Sequence, residues 1–388
     1  MKNLRPIYLD HHATTPVDPR VFRGMEPYFC ENFGNAASKS HLFGWKAEGA
    51  VEKAREQVAQ SIQSSTKEIV WTSGATEANN LALIGIATAY QTKGDHLITC
   101  STEHSSILDP CRYLQERGFK ITTLPVNQEG MIDLDDLTKA FTKKTILVSL
   151  MAANNEVGTL HPTVEIGKIT RKQGVLLHID AAQGCGKIPV TVQSMGVDLL
   201  SLSAHKVYGP KGVGALYLRK GVRPLPLFYG GGHERGFRSG TLPVPLIVGM
   251  GEAFEIAGNE METEARRLKR LRDQLFRGLT QRLEGVVLNG PPTTERLPGN
   301  LNVSFEGIDA EALMAGLPNI AVSSGAACTS AKAEPSHVLR AMGLSSERIK
   351  GSVRFGLGRF TTEEEIDHVI EKVVEKVQEL RKKNPLLP

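Results

Sequence analysis

The feature that most constrains the fold of this chain is a series of seven short apolar runs between about residues 45 and 220. The runs are rich in β-branched residues and lack the polar–apolar alternation of a strand that faces water on one side. They are Glu68–Thr72, His96–Cys100, Lys120–Leu124, Thr145–Met151, Val175–Asp180, Asp198–Ser203 and Val213–Leu218. Because helical patterns separate them, we predict an α/β fold built on a large, mostly parallel seven-stranded sheet.

The sequence changes character after about residue 260. Met261–Glu284 carries leucines at helical spacing, which predicts a long amphipathic helix. Thr361 and Glu364 fit a capping box that opens a final helix. The short strand candidates in this part are Val286–Leu288, Asn300–Phe305, Ile320–Ser323 and Ser352–Leu357. This mixture of short strands and two long helices is typical of a smaller α+β unit.

The chain has 388 residues, which is long for one domain, so two are expected. The change of sequence pattern near residue 260 indicates the boundary between the two domains. We predict a large α/β domain over residues 15–260 and a smaller α+β domain formed by residues 1–14 and 261–388.

Composition excludes several classes of protein. The 46 Lys and Arg residues against 42 Asp and Glu leave a formal charge of +4, too small to indicate a nucleic-acid partner. The longest uncharged stretch, Ala312–Ala331, is broken by glycine, proline and polar residues, so no membrane span is expected. The five cysteines form no CxxC pair, and no HExxH or histidine cluster indicates a metal site. With no signal-peptide pattern at the N-terminus, the sequence predicts a cytoplasmic protein.

Polar side chains follow the predicted strands, at the edge where parallel sheets bind ligands. Asp180 ends one run, and Lys206 follows the next run along the chain. The small residues of 73–77 (SGATE) come between another run and a helix, where a phosphate can bind. Taken singly, this segment also fits an ordinary capping box, and the two charges fit a structural ion pair. Together they match a pyridoxal phosphate (PLP) site, which needs a lysine, a carboxylate and a phosphate cup.

Two further residues are candidates for catalysis. His104 follows the run HLITC on the same edge and has a side chain that can exchange protons near neutral pH. Cys328 lies among small residues from 321 to 331, which indicates a thiol that must be reached or must move. The other four cysteines have no surroundings that indicate activation, and we interpret them as structural.

The motifs of the whole chain resemble those of one family. They are YLDHHATTPVDPRV, FGNAASKSH, TSGATEANNLA, STEHSSI, NNEVGT, HIDAAQ, SLSAHKVYGPKGVGALY, GGGHERGFRSGTLP, SSGAACTS and VRFGLGRFTTEEEID. In this order they resemble the cysteine desulfurases of the IscS/NifS type. These are PLP-dependent transferases of fold type I in the class V aminotransferase superfamily. SSGAACTS resembles the branch of the family with the longer mobile cysteine loop, here about residues 321–336.

The resemblance implies a set of residues that bind the cofactor. They are Ala75, Thr76, Asn155, Asp180, Gln183, Ser203, His205, Lys206 and Thr241. Lys206 would bind PLP covalently, Asp180 would pair with the pyridinium nitrogen, and Gln183 would reach the ring hydroxyl. Ala75, Thr76, Ser203 and His205 would hold the phosphate. Thr241 would reach the phosphate of the partner subunit, because the family works as a homodimer.

The resemblance also implies the reaction. Asn155 and Arg354 would hold the carboxylate of L-cysteine, while His104 would stack on the ring and shuttle protons. The Cys328 thiolate would take the sulfur as a persulfide and leave L-alanine. The sulfur would pass to an iron–sulfur scaffold protein and other acceptors, with Cys328 as a transient ligand of an iron–sulfur cluster. The chain ends soon after the last helix, so scaffold delivery is less firmly implied than desulfuration, and a role in nitrogenase maturation stays open.

Other interpretations compete with this one. An aminotransferase or a selenocysteine lyase would share the cofactor residues but would not need a mobile Cys328. A dehydrogenase would need a GxGxxG motif between a strand and a helix, and the chain has none. A non-catalytic relative would have no reason to keep Lys206, Asp180, His104 and Cys328 together.

Overall fold

The computed structural model describes residues 6–324 and 335–383. Its strands are β1 Ile7–Tyr8, β2 Ile69–Thr72, β3 His96–Cys100, β4 Lys120–Leu124, β5 Thr145–Met151, β6 Leu176–Asp180, β7 Leu199–Ser203, β8 Gly214–Leu218, β9 Val286–Leu288, β10 Asn300–Phe305, β11 Ile320–Ala321 and β12 Ser352–Gly356. Its helices are α1 Pro19–Met25, α2 Pro27–Cys30, α3 Leu42–Ser61, α4 Ala75–Asn80, α5 Ile86–Tyr90, α6 Ser105–Gln115, α7 Leu134–Ala140, α8 Thr163–Gln173, α9 Val192–Met195, α10 Val244–Arg282, α11 Ala310–Ala315, α12 His337–Ala341, α13 Ser346–Lys350 and α14 Glu363–Lys383. A π-helical turn, Leu81–Gly85, joins α4 to α5.

The seven predicted strands form one sheet in the order β2-β8-β7-β6-β5-β3-β4. Only β8 runs against its neighbours, β2 and β7, and the remaining pairs are parallel. Because β2 and β7 are both antiparallel to β8, they share the direction of the parallel strands. The prediction of a mostly parallel seven-stranded sheet is confirmed.

Burial on both faces explains why these runs show no alternation. Every residue of β2, β3, β5, β7 and β8 is buried. One face packs against α3 and the start of α10, and the other packs against α4, α5 and α6. The edge strand β4 is the exception, since only one of its five residues is buried.

A second core lies around the antiparallel sheet β12-β10-β9. The second half of α10 and the apolar face of α14 cover this sheet, and Ile7 and Leu9 of the N-terminal arm join the same core. The arm is held by the parallel pairing of β1 with β11. Helix α10 begins 17 residues before the predicted start at Met261 and crosses residue 260 without a break. The domain boundaries stay a prediction.

The predicted capping box at the last helix was wrong by one residue. Thr362 Oγ1 accepts a hydrogen bond from Glu365 N at 3.2 Å, and Glu365 Oε2 accepts one from Thr362 N at 3.0 Å. Adjacent threonines followed by three glutamates allow two registers, and the helix begins at the later one. Thr361 instead accepts a hydrogen bond from Gly358 N.

No helix within the described ranges is long and apolar enough to cross a membrane. The candidate functional residues lie at one edge of the large sheet. Strands β2, β3, β5, β6 and β7 share one direction, so their carboxyl ends meet there. Each of these strands is followed by a polar residue proposed for the site.

Candidate active site

A cavity of about 470 Å³ lies at the carboxyl edge of the sheet. The predicted residues that line it are Ala75, Thr76, His104, Asn155, Asp180, Gln183, Ser203, His205 and Lys206. The N-terminal arm closes one side with His12, Ala13 and Thr14. Residues separated by more than a hundred positions in the sequence are therefore brought together by the topology of the sheet.

The Lys206 amine contacts the N-terminal arm. Its Nζ donates hydrogen bonds to the backbone oxygens of His12 at 2.8 Å and Ala13 at 2.7 Å. Gln183 Nε2 donates to the same His12 oxygen at 2.8 Å, while its Oε1 accepts from Lys187 Nζ at 2.9 Å. The arm therefore holds both the amine and the amide at the mouth of the cavity.

The Asp180 carboxylate is buried at the end of β6 and is hydrogen-bonded through both oxygens. Its Oδ1 accepts from Ala182 N at 2.9 Å, and its Oδ2 accepts from Asn79 Nδ2 at 2.8 Å. A buried anion is costly unless it meets donors or a cation, and these bonds satisfy only part of its capacity. The carboxylate remains able to bind a cationic ring nitrogen.

His104 forms the N-cap of α6. Its Nδ1 accepts a hydrogen bond from Ser106 N at 3.1 Å and lies 2.9 Å from Ser106 Oγ. Burial lowers the pKa of His104, while the nearby Asp180 carboxylate opposes that shift. The imidazole is therefore neutral at neutral pH, and half-buried beside the cavity.

The other end of the cavity is suited to an anion. Helix α4 begins there behind Gly74, whose φ of 155° favours glycine and which makes no side-chain cap. The first N–H groups of the helix are thus available to a ligand. Gly214 lets β8 approach this turn, because a Cβ at Gly214 would lie 2.7 Å from Gly74 Cα. Glu77 also lines the cavity, but Arg238 Nε binds its carboxylate at 2.9 Å and compensates its charge.

Ser203 and His205 lie beside that turn at the end of β7. His205 Nδ1 is 3.0 Å from Thr14 Oγ1, and burial lowers the pKa of His205 to about 4. His205 is therefore a neutral hydrogen-bonding group in the cavity wall.

Arg354 lies behind the cavity lining. Its side chain is 1% exposed, pairs with Asp10 at 2.7 Å, and donates through Nη1 to the Asn155 backbone oxygen at 3.1 Å. Its Nε has no hydrogen-bond partner among the described residues. Arg354 thus reaches the cavity wall next to Asn155, with an unused donor.

Besides Arg354, two predicted residues are not part of this cavity lining as the structure describes it. Thr241 is exposed and is not one of the residues that line its own subunit's cavity. Cys328 lies outside the described residues. On one side of that gap, Ser323 exchanges backbone hydrogen bonds with Arg354. On the other side, His337 Nε2 lies 2.9 Å from the backbone oxygen of Glu103, the residue before His104.

Sequence analysis missed four polar residues of the site: Asn79, Ser106, His12 and Glu103. Asn79 could have been found, because it follows Ala75 by four residues and so shares its helix face. Ser106 lies two residues after His104 at a helix start, where serine usually indicates only a cap. Glu103 is fully buried beneath the site, and burial raises its pKa well above the usual value. No sequence pattern distinguished its carboxyl from an exposed one.

Comparison with known proteins decides the family. The profile of class-V aminotransferases matches residues 7–369. A cysteine desulfurase IscS of Anaeromyxobacter sp. (strain Fw109-5) is 58% identical over 383 residues, which cover 98% of this chain and 95% of that protein. The chain belongs to the cysteine desulfurases. The IscS of Rickettsia conorii (strain ATCC VR-613 / Malish 7) is 53% identical over 98% of this chain and 93% of its own.

Solved structures of the family agree with the fold. A NifS-like protein superposes with a TM-score of 0.91 at 40% identity, covering 96% of this chain and 99% of its own. A NifS-like protein from Rickettsia africae ESF-5 gives a TM-score of 0.85 at 33% identity, with coverage of 96% and 99%. The predicted family, fold class, desulfurase activity and PLP dependence are confirmed. The roles of individual residues stay predictions.

The site fits the cofactor of the family. A lysine amine, a buried carboxylate and an uncapped helix N-terminus lie around one cavity large enough for the group. These are the three features that a PLP site requires at the imine carbon, the ring nitrogen and the phosphate. Lys206, Asp180 and Ala75–Thr76 would supply them in this desulfurase.

Proposed function

We propose that this desulfurase takes sulfur from L-cysteine as a persulfide on Cys328 and releases L-alanine. The proposal is supported chiefly by one observation: the Lys206 amine and the Asp180 carboxylate share a cavity, and both flanks of the segment that contains Cys328 are bonded to residues directly behind its lining, Arg354 and Glu103. The persulfide then passes to an acceptor, which we propose includes the scaffold of iron–sulfur cluster assembly.

Different residues of the cavity would bind different parts of the cofactor. Asp180 would bind the pyridinium nitrogen, Gln183 would donate to the ring hydroxyl, and Lys206 would hold PLP covalently. The groups that hold the phosphate are those of Ala75, Thr76, Ser203 and His205. When bound, PLP supplies an electron sink that allows the α-proton of the amino acid to leave. When it is released from the cofactor, the Lys206 amine would be the group of this chain that removes and returns that proton.

Arg354 and Asn155 orient the substrate. Asn155 lines the cavity, and Arg354 lies directly behind it with an unused Nε donor, so the two residues are placed to hold a substrate carboxylate. The Asp10 carboxylate partly neutralises the charge of Arg354, so binding of the substrate carboxylate depends on geometry as well as on charge.

The Cys328 thiolate is the nucleophile. Its sulfur bonds to the substrate sulfur, the substrate C–S bond breaks, and the electron pair of that bond goes to carbon, which is then protonated to give alanine. The same thiolate would serve as the transient ligand of an iron–sulfur cluster shared with a scaffold. The described ranges contain no set of three residues able to hold a metal.

The active protein is a homodimer in this proposal. Exposed aromatic side chains, including Phe33, Phe43 and Trp45, are typical of a surface that is covered in an assembly. Thr241 is exposed outside its own cavity, as expected of a residue that serves a second subunit. The free state of all four described cysteines supports a reducing, cytoplasmic location.

The experiment is the release of alanine and sulfide from L-cysteine in the presence of a reductant. Cys328→Ala is the test variant, and Cys30→Ala, which removes an exposed cysteine, is its matched control. We expect equal amounts of both products from the parent and the control, and none from Cys328→Ala. Sulfide release that survives in Cys328→Ala would show that the sulfur does not pass through that thiol.

A further inference from the structure

We propose that Asn79 and Ser106 hold His104 as a neutral imidazole with its proton on Nε2, so that His104 presents a hydrogen-bond donor to the cavity before the reaction begins. The inference rests on the proposed function, because it assigns a task to His104 within the same site. Asn79 and Ser106 are then positioning residues that act through His104.

Four side chains form a continuous hydrogen-bonded chain from β6 to α6. Asn79 Nδ2 lies 2.8 Å from Asp180 Oδ2 and 2.8 Å from Ser106 Oγ. Ser106 Oγ in turn lies 2.9 Å from His104 Nδ1. Asn79 is fully buried, and Ser106 and Asp180 are each less than a tenth exposed, so water does not compete for these bonds.

The hydrogens of this chain can be assigned by counting donors. A carboxylate only accepts, so the Asn79 group that faces Asp180 must be its amide nitrogen. That nitrogen carries two hydrogens, and both are used on Asp180 Oδ2 and Ser106 Oγ. The Ser106 hydroxyl accepts from Asn79 and keeps its own hydrogen, which it can donate to His104 Nδ1.

The backbone supplies a second donor to the same atom. Ser106 N donates to His104 Nδ1 at 3.1 Å, because His104 is the N-cap of α6. A ring nitrogen that receives donors carries no proton itself, and a neutral imidazole then bears its proton on the other nitrogen. Nε2 therefore carries the hydrogen, and no described residue forms a hydrogen bond with it.

The neutral state of the ring follows from its surroundings. Burial lowers the pKa of His104, Lys206 and His337 lower it further, and Asp180 and Asp109 oppose them. A neutral imidazole that presents N–H can stabilise negative charge on a substrate atom without transferring the proton. It cannot accept a proton at Nε2, which is already protonated.

The direct test is an NMR measurement of the tautomer. Protein loaded with PLP and labelled with 15N-histidine gives two-bond 1H–15N correlations that distinguish the two neutral forms and the cation. The His104 signals are those lost in His104→Gln. We expect the Nε2–H form at pH 7. The Nδ1–H form or the imidazolium would overturn the proposal. The spectrum requires no turnover, so failure of the proposed desulfuration would be recognised separately.

Variants of Ser106 test the positioning role. Ser106→Ala removes the hydroxyl donor, Ser106→Thr restores it, and Ser105→Ala is the matched control on the same helix. Loss of one neutral hydrogen bond corresponds to about a fivefold change in an equilibrium. We expect Ser106→Ala to raise the ratio of Nδ1–H to Nε2–H about fivefold and to lower kcat more than it changes KM, with recovery in Ser106→Thr. If Ser106→Ala behaves like Ser105→Ala in both measurements, Ser106 has no such role.

Discussion

The buried ion pair between Arg55 and Glu234 provides a quantitative test of what holds the loop before α10. The side chains are 5% and 3% exposed, and Glu234 binds Arg55 through two hydrogen bonds of 2.8 and 2.9 Å. Glu234 Oε2 also accepts from Trp71 N at 2.8 Å. Glu234 and Arg235 both have positive φ, 48° and 59°, so the pair holds the backbone in a conformation that costs energy.

We expect Glu234→Gln to lower the free energy of unfolding by about 3–5 kcal/mol, because it leaves the buried Arg55 charge with only the exposed Glu52 carboxylate as a partner. Replacing both charged residues, as Arg55→Met with Glu234→Met, should cost less than the sum of the two single changes, since no charge is then left unpaired. Glu48→Gln is the control, because Glu48 forms an exposed pair with Lys39 worth at most about 1 kcal/mol.

Urea unfolding followed by tryptophan fluorescence measures these differences. Trp71 is buried 5.4 Å from the Arg55 guanidinium, whereas the second tryptophan, Trp45, is more than half exposed. The change in fluorescence on unfolding therefore reports chiefly on the region of the pair. A cost for Glu234→Gln no larger than that for Glu48→Gln, or strict additivity of the two methionine changes, would refute this reasoning.

Three further predictions follow from the site and the cores. Asp180→Asn should weaken PLP binding tenfold or more, since a charged hydrogen bond is worth about 1.5–3 kcal/mol, and an absorbance titration measures this. Gly214→Ala should weaken PLP binding in the same titration, because its Cβ would lie 2.5 Å from Leu202 O, whereas Gly49→Ala, with open space around it, should not. Burial lowers the pKa of His161 to about 4 in the folded protein. As the pH falls, the unfolded chain therefore binds a proton at this residue before the folded protein does. The free energy of unfolding should fall by about 3 kcal/mol between pH 6.5 and pH 4. Urea titrations of the parent and His161→Leu at pH 8 and 5 check this, and an equal pH dependence in both would contradict it.

The sequence predicted the strands of the large sheet to within one residue because their burial on both faces leaves continuous apolar runs. The polar residues of the site could also be predicted, because each directly follows one of these strands and the shared strand direction places them at one edge of the sheet. The start of α10 was missed because Gly249 and Gly251 weaken the helical pattern. Packing requires them there: a Cβ at Gly251 would lie 2.7 Å from Ala54 Cα of α3.

The contacts within the site could not be predicted in the same way. Asn79 joins Asp180 to Ser106 across separations of 101 and 27 residues, and these bonds depend on rotamers that packing selects. Asn79 and Asn80 look alike in sequence, yet only Asn79 turns inward, while Asn80 Nδ2 bonds to Thr76 O on the outer side of the helix. The position of a side chain on its helix can be derived from spacing, but its partner on another element cannot.

The N-terminal arm also has a consequence for the order in which the chain folds during synthesis. Ile7 pairs with Ile320, and Arg354 binds Asp10, so the arm has no lasting place until nearly the whole chain has been made. At about 5–20 residues per second, roughly 15–60 s pass between translation of residue 7 and translation of its strand partner. The backbone oxygens of His12 and Ala13, which accept hydrogen bonds from the Lys206 amine, belong to this N-terminal arm. Nearly all of the polypeptide must therefore be synthesised before the Lys206 amine acquires a finished binding site.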